Sequence, residues 1–168
     1  MKKFLFLPAM FILLGGLLLI QLPSGQSSPV QETVHLRADM DTYIQSWSGE
    51  TNFGDEDYLN LSLIDVGGSL GAEFILLHFD LSSIPAEAEI DSATLELYLV
   101  ETSWAETVGV SAYYVNDPWS EYEVTWANMP AHELIGIYRE VDSTVDEYKS
   151  WDISSYARNW HSHPASNN

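Results

Sequence analysis

The sequence predicts an all-β chain, a jelly-roll-like antiparallel β-sandwich, and three observations carry that expectation. Beyond residue 32 the apolar residues come in short alternating runs divided by turn residues; almost no helical period interrupts them; and one run, 92–100, alternates over its whole length. In that run Ala93, Leu95, Leu97 and Leu99 point to one side while Thr94, Glu96 and Tyr98 point to the other, which is the pattern of a strand with one buried and one solvated face.

Taken in order, the expected strands are 33–36, 42–45, 58–63, 74–80, 92–100, 107–115, 124–126, 133–141 and 148–153. The stretch 74–81 is apolar on both faces, with Ile75, Leu77 and Phe79 on one side and Phe74 and Leu76 on the other, so it reads as a central strand. The run Asp65-Val66-Gly67-Gly68 and the run Ser82-Ser83-Ile84-Pro85 carry turn chemistry, and Asn52-Phe53-Gly54-Asp55 reads as a loop with a left-handed glycine. Strand residues Tyr98 and Tyr114 are expected to be packed. Only 154–160 looks helical, with Asp152 or Ser154 as its cap and Tyr156 and Trp160 four apart on one face.

The chain opens with Lys2 and Lys3, an apolar run from Phe4 to Leu22 broken by Pro8 and Gly15-Gly16, and a polar stretch of small residues. This is the grammar of a secretory signal over 1–27, with cleavage expected after Ser27; retained, the run is close to the length that spans a bilayer, and membrane association is expected only in that case. Residues 28–36 then form a linker and the entry to the first strand, and 37–168 one domain. About 140 residues are enough for one domain with a real core. There is no cysteine, so a secreted or cell-surface domain of this kind is held by its core, helped by metal, rather than by disulfides.

The charge is -19, from 25 acidic and 6 basic residues. So few cations cannot neutralise phosphates, which argues against nucleic acid and against tight direct binding of an acidic polysaccharide. No nucleophile elbow, zinc-protease helix, phosphate loop or dinucleotide fingerprint occurs, and paired carboxylates are too plentiful to single out, so no enzyme is expected. His161 and His163, two apart, are either a transition-metal pair or part of a solvated tail.

Calcium is the better metal expectation. Asp39, Asp41, Asn52, Asp55 and Asp57, with Glu56, supply hard oxygen donors near one edge of the expected sandwich, although their spacing matches no EF-hand. Aromatics supply the expectation for ligand. Among six Trp and nine Tyr, Trp47 and Trp104 stand in the polar sequences SWSGE and TSWAE, where stacking on a sugar face competes with folding back over a sheet edge; Tyr43 is grouped with them. Trp119 and Trp126, within PWSEYEVTWANMP, are either core anchors or a sugar platform.

The ordered set DTYI (41–44), TNFG (51–54), LLHFDLSSIP (76–85), IDSATLELY (90–98), WSEYEVTW (119–126) and WDIS (151–154) resembles the DNRLRE-domain family, which overlaps carbohydrate-binding module family 96. The resemblance implies a β-sandwich of secreted and surface proteins that binds polysaccharide without catalysis; a structural or adhesive surface domain is the alternative. Two departures stand out. Where the family carries arginines on the central strand, this chain has Phe74 and His78, and where the family continues into a closing strand, Trp160 is followed by HSHPASNN. The expectation is therefore a sandwich lacking its last strand, its C-terminus truncated or its gap completed by a partner chain.

Overall fold

The computed structural model describes residues 4–11, 30–133 and 136–168, and over them the chain forms an antiparallel, sandwich-like all-β fold. Its described strands are β1 (Phe4–Phe11), β2 (Val30–Arg37), β3 (Met40–Gln45), β4 (Ser62–Val66), β5 (Ser69–His78), β6 (Glu89–Ile90), β7 (Thr94–Leu99), β8 (Val108–Ala112), β9 (Ile137–Val141) and β10 (Glu147–Asp152), followed by helix α1 (Ser154–Ser162). One sheet runs β10-β7-β1-β2, with β6 beside β1; the second is β3-β5-β4 and the third β8-β9. The expected export signal lies for the most part outside the described residues, and its Phe4–Phe11 stretch is paired as β1.

The main core lies between the first sheet and the other two. Leu95 and Leu97 of β7 and Trp151 of β10 meet Leu77 and Phe79 from the β5 side and Val108, Val110 and Ile137 from the β8-β9 ribbon. The Trp151 indole N–H donates to the Val110 carbonyl across the layers at 3.3 Å. The alternation expected in 92–100 is thus present, although Tyr98 is not packed: it is 45% exposed on the outer face, edge-on to Tyr148 with ring centroids 5.1 Å apart. Tyr114 is buried as expected, between Tyr156 and Trp160 of α1.

Strand β5 is the middle strand of its sheet and meets apolar neighbours on both faces, although Phe74 stays 38% exposed. Leu77 enters the main core, while Leu76 faces outward into a second cluster with Ile44 and Val124 that is flanked by Trp119, Trp126 and Met129. The cover is the 118–130 segment, in which 124–126 is not a strand. Its backbone is satisfied locally: Val124 N–H donates to the Ser120 carbonyl, Thr125 N–H to Asn128 Oδ1 and Met129 N–H to the Trp126 carbonyl. Val124 is therefore a plug, and burying such a side chain contributes about 1.5–3 kcal/mol.

Three glycines act in two different ways. Gly67 and Gly68, at φ 63° and 87°, make the two-residue β4-β5 hairpin in which Val66 pairs with Ser69, and Asp65 Oδ1 accepts the Gly68 N–H. This tight turn starts β4 only at Ser62, so 58–61 is loop and Tyr58 is 67% exposed. Gly54 is not among the left-handed glycines. It is needed for close approach, since a Cβ there would stand 2.5 Å from the Glu121 carbonyl oxygen.

At the C-terminal end, the N-cap of α1 is Ile153 and no side chain caps the helix, so neither Asp152 nor Ser154 is the cap that was expected; Asp152 Oδ1 accepts the Ser154 N–H just before the first turn. The last residues are tied back by Asn167 Nδ2 donating to the Phe79 carbonyl and Asn168 Nδ2 to that of Asn116. Lys149, turned inward on β10, is 4% exposed and is held by Asp142 at 2.6 Å and by Glu147. The Lys149 ammonium and the Thr144 backbone N–H together hold the Asp142 carboxyl down to about 2.

Two outcomes follow. Gly54→Ala lowers stability by about 1–3 kcal/mol in urea denaturation, because neither backbone carbonyl nor new methyl can move aside; an unchanged midpoint would contradict this packing. For Asp142, the folded pKa lies below the unfolded value near 3.9, so its contribution is fully present above that value and lost as pH falls through about 2. Acid denaturation of Asp142→Asn should show a correspondingly smaller loss between pH 5 and pH 2 than the parent chain.

Candidate functional site

Trp47 is set at the open end of the β3-β5-β4 sheet by a short hydrogen-bonded turn. Ser46 N–H donates to the Ala72 carbonyl, Ser46 Oγ accepts the Ala72 N–H at 2.9 Å, and Ser48 N–H donates to the Gln45 carbonyl. The indole lies across Gly71, where a Cβ would come within 2.8 Å of its six-membered ring, and Val66 borders the same point. It is 39% exposed. The missing side chain at Gly71 makes room for the six-membered ring of an indole that stays partly exposed.

Polar groups share that face. Glu73, two residues along β5 from Gly71, accepts from Gln45 Nε2 at 2.8 Å, and Ser62, opposite Glu73 in register, has a buried hydroxyl without a hydrogen-bond partner. Glu73 is 8% exposed and the Ser62 hydroxyl is enclosed, so the groups that a ligand can reach here are the Trp47 ring and the half-buried Gln45 carboxamide, which suit a ligand with one apolar face and a hydroxylated rim.

The other residues expected to touch ligand behave differently. Tyr43 is core: it is 6% exposed and stacks on Phe53 with centroids 4.3 Å apart, which leaves no ring face for a ligand. Burial pushes its phenol pKa up, against a hydrogen bond with Asn60. Trp104 is half-buried in the β7-β8 loop with its indole N–H enclosed and unpartnered, and its backbone N–H donates to Thr102 Oγ1 at 3.3 Å. It has folded back rather than out.

The five oxygen donors expected for calcium do not gather. Asp39 is paired with His78 at 2.7 Å, and Asp41 is a buried β3 residue whose N–H donates to Glu121 Oε1. Asn52 is a staple: Nδ2 donates to the carbonyls of Glu121 and Val124 at 2.8 and 2.7 Å, and Oδ1 accepts the Gly54 N–H. Asp55 and Asp57 stay exposed. Among the described residues no group of three or more His, Cys, Asp and Glu stands where it could hold a metal ion. Of the two late histidines, His161 Nε2 lies 2.9 Å from the Pro85 carbonyl and His163 Nδ1 beside Ser162 Oγ.

Three features escape sequence reading. A shallow cavity of about 280 Å³ opens in the 118–128 segment, lined by Pro118, Trp119, Ser120, Glu123, Val124 and Asn128; the Trp119 indole N–H is buried without an acceptor. On the β8-β9 ribbon Tyr138 is 63% exposed with its ring over Gly109, and Tyr113 stands edge-on to His132. The exposed Tyr98–Tyr148 pair is the third, since Tyr98 is expected to be packed, although the alternation of β7 turns it outward.

The sandwich-like β fold leaves several aromatics exposed, Trp47, Tyr98, Tyr138 and Tyr148 among them, on which a ligand can stack. Residues 32–167 match the model of carbohydrate-binding module family 96, and the chain belongs to that family. No curated protein matches the chain. The family match begins inside β2 and leaves β1 outside.

Proposed function

We propose that this is an exported, non-catalytic module that binds polysaccharide on the Trp47 face of the β3-β5-β4 sheet. The observation that carries the reading is the indole seated against Gly71 and still 39% exposed, next to the half-buried Gln45 amide that Glu73 holds from beneath. Sugar rings present C–H groups on one face and hydroxyls at the rim, which the indole and the neighbouring acceptors and donors match. The net charge of -19 and the acid at the site favour a neutral glycan over a polyanion. Membership of a carbohydrate-binding family supports the ligand class.

Affinity electrophoresis against neutral and acidic polysaccharides tests it. Trp47→Ala should abolish retardation by a neutral glycan while leaving the thermal midpoint nearly unchanged, and Trp104→Ala should lower the midpoint without changing retardation of the folded fraction. Retardation that survives Trp47→Ala would remove this face from binding.

A structural or adhesive surface role is the second reading, and one observation favours it: Leu63 and Leu70, side by side on the opposite face, are 67% and 74% exposed. Retardation by no glycan, with self-association lost in Leu70→Ser, would decide for it. Calcium is proposed only as a stabiliser of the loop carrying Asp55 and Asp57, whose exposed carboxylates would have to close around the ion. The thermal midpoint in millimolar calcium should then exceed that in chelator, and equal midpoints would dismiss the metal.

A further inference from the structure

We propose that the position between β2 and β7 is a receiving slot for an extended strand, and that Phe4–Phe11 is a replaceable occupant which a strand from another polypeptide can displace. The pairing defines the slot. β1 runs antiparallel to both neighbours, with eight residue pairs to β2, from Phe4 opposite Arg37 to Phe11 opposite Val30, and three to β7 at Glu96, Leu95 and Thr94. Two more pairs join it to Ile90 and Glu89 of β6. Among the described strands β2 has no hydrogen-bonded neighbour except β1, yet its Val34 and Leu36 pack on the main core. Without an occupant the first sheet is split by a gap one strand wide, with unpaired backbone on both banks.

The present occupant is poorly suited to that place. Pro8 stands opposite Thr33 in the middle of β1, between the residues paired to β7 (4–6) and those paired to β6 (9 and 10), so pairing to that bank is interrupted at a residue that lacks an N–H. The segment also carries the sequence grammar of an export signal, and it lies outside the family match. The banks define a better guest: apolar on the side of Val34, Leu36 and Leu95, tolerant of polar residues on the side of His35, Thr94 and Glu96, and free of proline. Every other described strand is already paired. Two copies at -19 each repel, so the donor is a different polypeptide, neutral or basic beside its strand.

The test starts from the folded full chain carrying a protease site within 23–28, cut after folding. Labelled peptides of the Phe4–Phe11 sequence, each led by two lysines, are added in excess: one unaltered, one with Pro8→Val, and one with further prolines in place of Leu5 and Leu7. The Pro8→Val peptide should enter one per chain by native mass spectrometry, release residues 4–11 and raise the melting midpoint above that of the cut parent, while the triple-proline peptide does not enter. Equal entry of all three peptides would overturn the slot, as would no entry at all, or Val30–Arg37 amides that keep their exchange protection after residues 4–11 have left. Dimers of the uncut chain that exchange Phe4–Phe11 between copies would overturn the assignment to a different polypeptide.

Discussion

Strand β5 cannot be satisfied by one core. Its residues alternate between two apolar sets, so Leu77 and Phe79 belong to the interior between the layers while Phe74 and Leu76 need shelter on the outer side. That shelter is the 118–130 segment, which lays Val124 on Leu76 and brings the Trp126 ring to 5.1 Å from Phe74. A conspicuous sequence signature is thereby accounted for by packing. The segment is held without strand pairing, through local turns and through the Asn52 amide, which reaches two of its carbonyls.

The position of the candidate site follows from the same contact. Asn52 and Gly54 dock the β3-β4 loop on Glu121, and Ala127 N–H donates to the Gly49 carbonyl at the other end of that loop. Both anchors restrain the turn that presents Trp47, so the cover over β5 also steadies the aromatic on its opposite face. A ring held in a restrained turn and seated against a glycine is preorganised for contact, which keeps the ordering cost of binding low.

Electrostatics set what can bind more than where. The described fold uses its few cations inside its own frame: Lys149 is neutralised by Asp142 and Glu147, Arg139 reaches the Ser150 carbonyl and hydroxyl, and Arg158 bonds the Ile90 carbonyl at 2.8 Å. Beside Trp47 the buried Glu73 carboxylate orients the Gln45 amide, a chemistry for hydroxyl groups rather than for anions.

Alternation was sufficient for β7, and two adjacent glycines after Asp65 for the β4-β5 hairpin, since strand period and left-handed turns are local consequences of side-chain sequence. Helix α1 was legible for the same reason, from Tyr156 and Trp160 one turn apart. The local pattern failed wherever a distant partner decided. Val124, Thr125 and Trp126 have strand-like side chains but no strand beside them, Tyr43 met Phe53 and became core, and Asn52 met two carbonyls and became a staple instead of a metal donor. Trp47 and Trp104 sit in equally polar sequences, yet only Trp47 found a glycine to sit against and stayed partly exposed, while Trp104 was turned inward. By itself the sequence determined the fold class, the faces of its clearest strands and the family, because those depend on period and on residue order; which aromatics and acids remain available to a ligand was decided only by tertiary contacts between segments far apart in the chain.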